Sequence, residues 1–155
     1  MTDRARAFKR LSAVEALRAL YIDFEGQKGP PPVLLGTHRR GRGEVPFVQQ
    51  DVLDPTFAGL GGPVLSLREV VEKVVQRAER GDRRIVSWSE YDLNVVRSLA
   101  TDDAELVARF EGRYVNARAL AERWRNRVHG GDRPTSGRLT DYLALIEYPV
   151  PDAAA

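Results

Sequence analysis

The sharpest alternation of apolar and polar residues in the chain is Leu-Tyr-Ile-Asp-Phe-Glu at Leu20–Glu25, followed by Gly26. Side chains alternate faces along a strand, so Leu20, Ile22 and Phe24 share one face and Tyr21, Asp23 and Glu25 share the other. A different period begins at Ser66, where Leu67, Val70, Val71, Val74, Val75 and Ala78 fall at helical spacing. Ser66 and Glu69 have the spacing of a capping box, and Gly81 marks the stop. Between these two signals, residues 33–37 and 45–49 predict two further strands. A tight basic turn at residues 38–43 separates them, and an irregular Gly/Pro-rich connection spans residues 51–63.

Downstream, residues 84–88 predict a fourth strand and residues 91–100 a helix with Asp92 in its first turn. Asp102 and Glu105 open another helix to about Glu111, and residues 113–116 make a fifth short strand. Ala117–Val128 reads as a helix with Leu120, Ala121 and Trp124 facing inward. A loop over residues 129–137 leads to a last helix at residues 139–146, stopped by Tyr148-Pro149-Val150-Pro151. Upstream, residues 2–18 read as a polar helix with a thin stripe of Phe8, Leu11 and Leu17, and Ser12 with Glu15 at capping-box spacing. The expected organisation is a helical leader at 1–18, one α/β domain at 19–151 and a tail at 152–155. A meander of three antiparallel strands, followed by alternating helix and strand, predicts one mixed sheet with helices on both faces.

Composition narrows the function classes. The 155 residues suffice for one domain with a core. The absence of cysteine excludes a disulfide framework and a thiolate zinc site, and fits a reducing, cytoplasmic location. With 24 basic and 22 acidic residues the chain is not a general polyanion binder. Its basic residues are nearly all arginine, either for bidentate phosphate contacts or through genome composition. No run approaches a membrane helix, and no signal-peptide core follows the N-terminus, so no membrane partner is expected.

The candidate chemistry lies in the acids. Asp23 and Glu25 share a strand face between apolar neighbours, where charge is costly unless it is paired, hydrated or bound to a cation. The competing reading is a wet polar face on an edge strand. Asp92 and Glu90 are equally compatible with ordinary helix-dipole stabilisation. Arg39, Arg40 and Arg42, at the expected hairpin tip, are candidates for contact with nucleic-acid phosphates or a solvated turn.

Three stretches carry a family resemblance: Tyr21-Ile22-Asp23-Phe24-Glu25-Gly26, Ser87-Trp88-Ser89-Glu90-Tyr91-Asp92, and Arg113-Tyr114-Val115-Asn116-Ala117-Arg118 with the helix that follows. Together with the segment from Ser136 to Pro151, they resemble the DEDD exonuclease superfamily, whose fold is ribonuclease H-like. The resemblance is nearest to the predicted nuclease domains that accompany RecB-like nucleases. It implies a five-stranded mixed sheet, with strands 1–3 antiparallel and strands 4 and 5 parallel, and strand four beside strand one. It implies metal-dependent 3′–5′ hydrolysis of DNA or RNA by Mg²⁺ or Mn²⁺, with Asp23, Glu25 and Asp92 as catalytic metal ligands. It also implies a single-stranded nucleic-acid partner and a larger nuclease or helicase assembly. The family's final Asp, preceded four or five residues earlier by His or Tyr, has no counterpart. Neither His38 nor His129 has that spacing, and Asp141 and Asp152 do not match. The expectation is therefore an incomplete site, in a domain either cut before its last helix or degenerate. A non-catalytic module of the same fold that binds nucleic acid or a protein is the alternative.

Overall fold

In a computed structural model of the chain, residues 10–26, 31–40, 46–60, 62–128 and 137–145 are described. A single sheet has the strand order β3-β2-β1-β4-β5. Its strands are β1 (Leu20–Glu25), β2 (Leu34–Arg40), β3 (Pro46–Val52), β4 (Ile85–Ser87) and β5 (Tyr114–Asn116). The first three form the expected antiparallel meander, and β4 and β5 run parallel to β1. The helices are α1 (Ala13–Arg18), α2 (Leu67–Arg80), α3 (Glu90–Arg97), α4 (Ala104–Arg113), α5 (Ala117–Val128) and α6 (Leu139–Leu145), with a short 3-10 helix at Pro55–Leu60.

The alternation in β1 is realised residue by residue: Leu20, Ile22 and Phe24 are buried, and Tyr21, Asp23 and Glu25 are exposed. The buried set joins Leu35 and the α2 residues Val70, Val71, Val74, Val75 and Ala78, with Leu93 and Val96 of α3 and Leu106, Val107 and Phe110 of α4. On the opposite face a smaller cluster of Ala19, Val86 and Val115 packs against Leu11, Ala117 and Leu120. Helices therefore cover both faces over β4 and β5. A right-handed turn and its cap explain α2: Ser66 Oγ accepts from Glu69 N, and a Glu69 carboxylate oxygen accepts from Ser66 N at 2.7 Å. The same reciprocal pair, Ser12 and Glu15, starts α1.

Several local expectations are corrected. Residues 38–40 do not turn: His38, Arg39 and Arg40 continue β2, paired with Val48, Phe47 and Pro46. An arginine run reads as a turn by composition, yet Arg39 is accommodated because its guanidinium lies 4.4 Å over the Phe47 ring. Asp51 and Val52, assigned to the irregular connection, belong to β3. Helix α2 stops where expected, with Gly81 as its C-cap, but the turn beyond it is not made by the glycine. Arg83 N donates to Ala78 O and Asp82 N to Glu79 O, and the left-handed residue is Asp82 at φ 43°, not Gly81. The cap of α4 is Asp103, whose side chain accepts from Leu106 N, rather than Asp102. Trp124 is 37% exposed, not turned inward. Residues 129–136 of the expected loop and the Tyr148–Pro151 stop lie outside the described residues, as do Arg42, Asp152 and residues 1–9 of the expected leader.

Candidate metal centre

Strand β1 is central, not an edge, so the acids do not owe their exposure to a sheet margin. They are exposed because the outer face of β1 carries Tyr21, Asp23 and Glu25 in alternation with the buried row. From β1 the chain proceeds to β2 and β3 on one side, whereas β4 leads to β5 on the other. Connections that diverge in this way leave a crevice at the carboxyl ends of the adjacent parallel strands. Asp23 and Glu25 occupy the later half of β1, and Asp92 follows the end of β4.

Asp92 is 2% exposed, in the first turn of α3. Its Oδ1 accepts the Phe24 main-chain N–H at 2.8 Å. The reason lies in the register: β4 pairs with β1 at Leu20 and Tyr21 and is too short to serve Phe24. A central-strand amide would be left without a partner, and Asp92 supplies one. Burial pushes the Asp92 carboxyl above its ordinary value, the Phe24 amide opposes that shift, and the charge of Glu25 adds to it. No Lys or Arg side chain pairs with Asp92 among the described residues. By contrast Asp51, 5% exposed, meets Lys73 Nζ at 2.5 Å and the Gln49 side-chain amide at 2.9 Å.

Asp23 is accessible at its surface, yet the atoms packed around it take part of its hydration away. That desolvation, followed by the charges of Asp92 and Glu25 and a hydrogen bond with Glu25, pushes its carboxyl up to about 6. The three carboxylates expected from the sequence are thus electrostatic neighbours. Among the described residues, no set of three or more acid or histidine side chains converges closely enough to enclose a metal ion. The donor set fits a hard divalent cation in its chemistry, all carboxylate oxygen with no Lys or Arg paired to Asp23, Glu25 or Asp92 among the described residues. It fits an open shell, because Asp92 has one oxygen committed to Phe24.

Residues the sequence did not single out hold this end together. Ser87 Oγ and the Tyr114 hydroxyl lie 2.8 Å apart and each lies 3.0 Å from Ser89 O; one hydroxyl donates to the other and the second to the Ser89 carbonyl, fixing the turn that delivers Asp92. Burial pushes the Tyr114 phenol up to about 12, so it stays a hydrogen-bond donor. Gly26 has a positional reason: a Cβ there would stand 3.0 Å from Pro32 Cα and 3.4 Å from the Tyr91 hydroxyl. That hydroxyl is buried without a hydrogen-bond partner among the described residues. Only the third acid could have been anticipated, from its strand-end position; the Ser87–Tyr114 bond joins residues 27 apart and leaves no local signal. Glu90 is exposed and lines a separate cavity of about 350 Å³ with Asn116 and Arg118.

Of the arginines expected at the hairpin tip, Arg39 and Arg40 end β2 and Arg42 lies outside the described residues. Arg39 is half-buried on the face that carries Leu35 and Thr37, and Arg40 is exposed on the face of His38. Among the described residues no helix is long and apolar enough to cross a membrane. Comparison with models of known families, with curated proteins and with solved structures finds no match to this chain.

Proposed function

We propose that the chain is a ribonuclease H-like domain of the DEDD exonuclease type, in which Asp23, Glu25 and Asp92 hold Mg²⁺ or Mn²⁺ against a nucleic-acid phosphodiester. The observation that carries this reading is that the charges of Asp92 and Glu25 act on Asp23 at the carboxyl ends of β1 and β4, with no cation paired to Asp92 among the described residues. When bound, such ions supply a water activated at neutral pH and stabilisation of the leaving 3′ oxygen. Asp23, whose carboxyl feels the charges of the other two, would be the central ligand on this reading. Glu25 lies two residues along the same exposed face, and Asp92 is held in place by the Phe24 amide. The substrate class is single-stranded DNA or RNA, with 3′–5′ polarity following from the resemblance alone.

A second reading rests on the Asp92–Phe24 bond, which gives that acid a structural duty independent of metal. On it the fold is retained for binding nucleic acid or a protein partner, without turnover. Calorimetric titration of Mn²⁺ into wild type and Asp23→Ala separates the two. The nuclease reading expects heat of binding in the wild type that the variant loses, with release of a labelled mononucleotide from an oligonucleotide. Identical titrations for the two proteins would remove the metal site and its mechanism together.

A further inference from the structure

The opposite end of the β1/β4 pair carries the contrary charge. A cavity of about 540 Å³ opens where α1, the turn before β4 and the end of α4 meet, and five arginines line it: Arg18, Arg83, Arg84, Arg109 and Arg113. Its acids, Glu15 and Asp82, are engaged, with Glu15 on Arg84 at 3.2 Å and Asp82 on Arg113 at 3.2 Å. Arg109 is held from α2, with Glu79 at 2.8 Å and Glu72 at 3.3 Å. Arg18 and Arg83 have no carboxylate partner among the described residues. Arg18 donates to Gly81 O at 3.0 Å and Arg83 to Arg18 O.

Two guanidinium groups without a carboxylate partner among the described residues are thereby held in the lining of one cavity. Desolvation, followed by the charges of Arg39 and Arg18, disfavours the protonated form of Arg83. The local chain is also specialised to hold this arrangement. Asp82 sits at φ 43°, a left-handed conformation more usual for glycine, and Gly81 leaves the space that the Arg83 side chain fills, since a Cβ there would lie 2.6 Å from its Nε.

We propose that this arginine cavity is a binding site for a phosphate group, carried either by a small polyphosphate or by a nucleic-acid backbone. Guanidinium forks match phosphate oxygens bidentately, and a dianion supplies the two charges that Arg18 and Arg83 lack. The volume admits a group of nucleotide size. The site is separate from Asp23, Glu25 and Asp92, and it does not depend on the nuclease reading.

The test is binding of inorganic pyrophosphate, by calorimetry, and of a fluorescein-labelled single-stranded oligonucleotide, by anisotropy, both at low salt with EDTA present. Wild type is expected to bind at least one probe, and Arg18→Gln/Arg83→Gln to weaken it by about a hundredfold, near tenfold for each charge-assisted contact removed. Arg83→Lys, which keeps the charge and loses the fork, should weaken it less, and Arg18→Gln alone covers the case in which the double variant does not fold. Arg97→Gln, whose partner is Glu111 on the surface, should bind as wild type does. Pyrophosphate binding with no oligonucleotide binding assigns the site to small phosphates; oligonucleotide binding that pyrophosphate does not displace assigns it to a chain. No binding of either probe by wild type, or equal binding by the Arg18 and Arg83 variants, overturns the proposal. Asp23→Ala should leave the pyrophosphate isotherm unchanged; a change would place the phosphate elsewhere and overturn it too.

Discussion

Asp51 and Asp92 are both buried carboxylates, on β3 and at the start of α3, and the protein treats them differently. Asp51 is given an ammonium group and a side-chain amide. Asp92 is given the Phe24 main-chain N–H, with the Ser87 hydroxyl and its own amide also favouring its charge, and, instead of a cation among the described residues, the neighbourhood of Glu25 and Asp23. The chain can neutralise a buried acid where stability alone is at stake. Leaving Asp92 without a cation, and adding two acids beside it, concentrates unfavourable charge at one end of the sheet. Such concentrations of perturbed acids are what a site that uses a cation requires.

The comparison can be broken from either side. The largest effect is expected from Lys73→Met, which strands the Asp51 charge and should cost about 3 kcal/mol in urea unfolding. Next is Asp92→Ala, which orphans the Phe24 amide and should cost about 2 kcal/mol, whereas Asp92→Asn keeps an acceptor oxygen and should cost little or stabilise. If Asp92→Asn proved as damaging as the alanine variant, the carboxylate charge itself would be structural and the contrast with Asp51 would fail.

The smallest effect is in pH. Asp23 binds its proton more tightly in the folded state, at about 6, than at its ordinary 3.8, so the folded protein holds the extra proton between those values. Stability from this group is present below pH about 4 and is lost as pH rises through about 6. Because the side chain faces water, the loss is about 1 kcal/mol or less. Melting curves of wild type and Asp23→Asn should therefore diverge over that window, with the variant the more stable at neutral pH. Parallel curves would show that Asp23 does not feel its two neighbours.

The elements with strict periodicity were legible in the sequence. Leu20–Glu25 showed its two faces through alternation, and α2 its buried stripe and its cap, because both signals come from residues a few positions apart. The mixed sheet followed from element order, whereas the place of β4 beside β1 was expected only from the family resemblance. What sequence could not show depends on tertiary register. The bond from Phe24 N to Asp92 exists because β4 ends early, a length that Ile85 and Val86 alone do not announce. Arg39 looked like turn chemistry because its stabilising partner, Phe47, lies across the strand pair. The arginine cavity draws on residues 14–18, 82–84 and 108–113, and in none of these segments is the charge unusual by itself.

The strict two-residue period of β1 also sets which kinds of genetic change the protein can absorb. A substitution at Tyr21 or Glu25 alters one exposed position and leaves the buried row in place. Losing or gaining a single codon within Leu20–Glu25 would invert part of the strand, driving acids against the valines of α2 and turning apolar side chains to water. Variation in this strand should therefore accumulate by replacement, while insertions and deletions collect in the connections between strands.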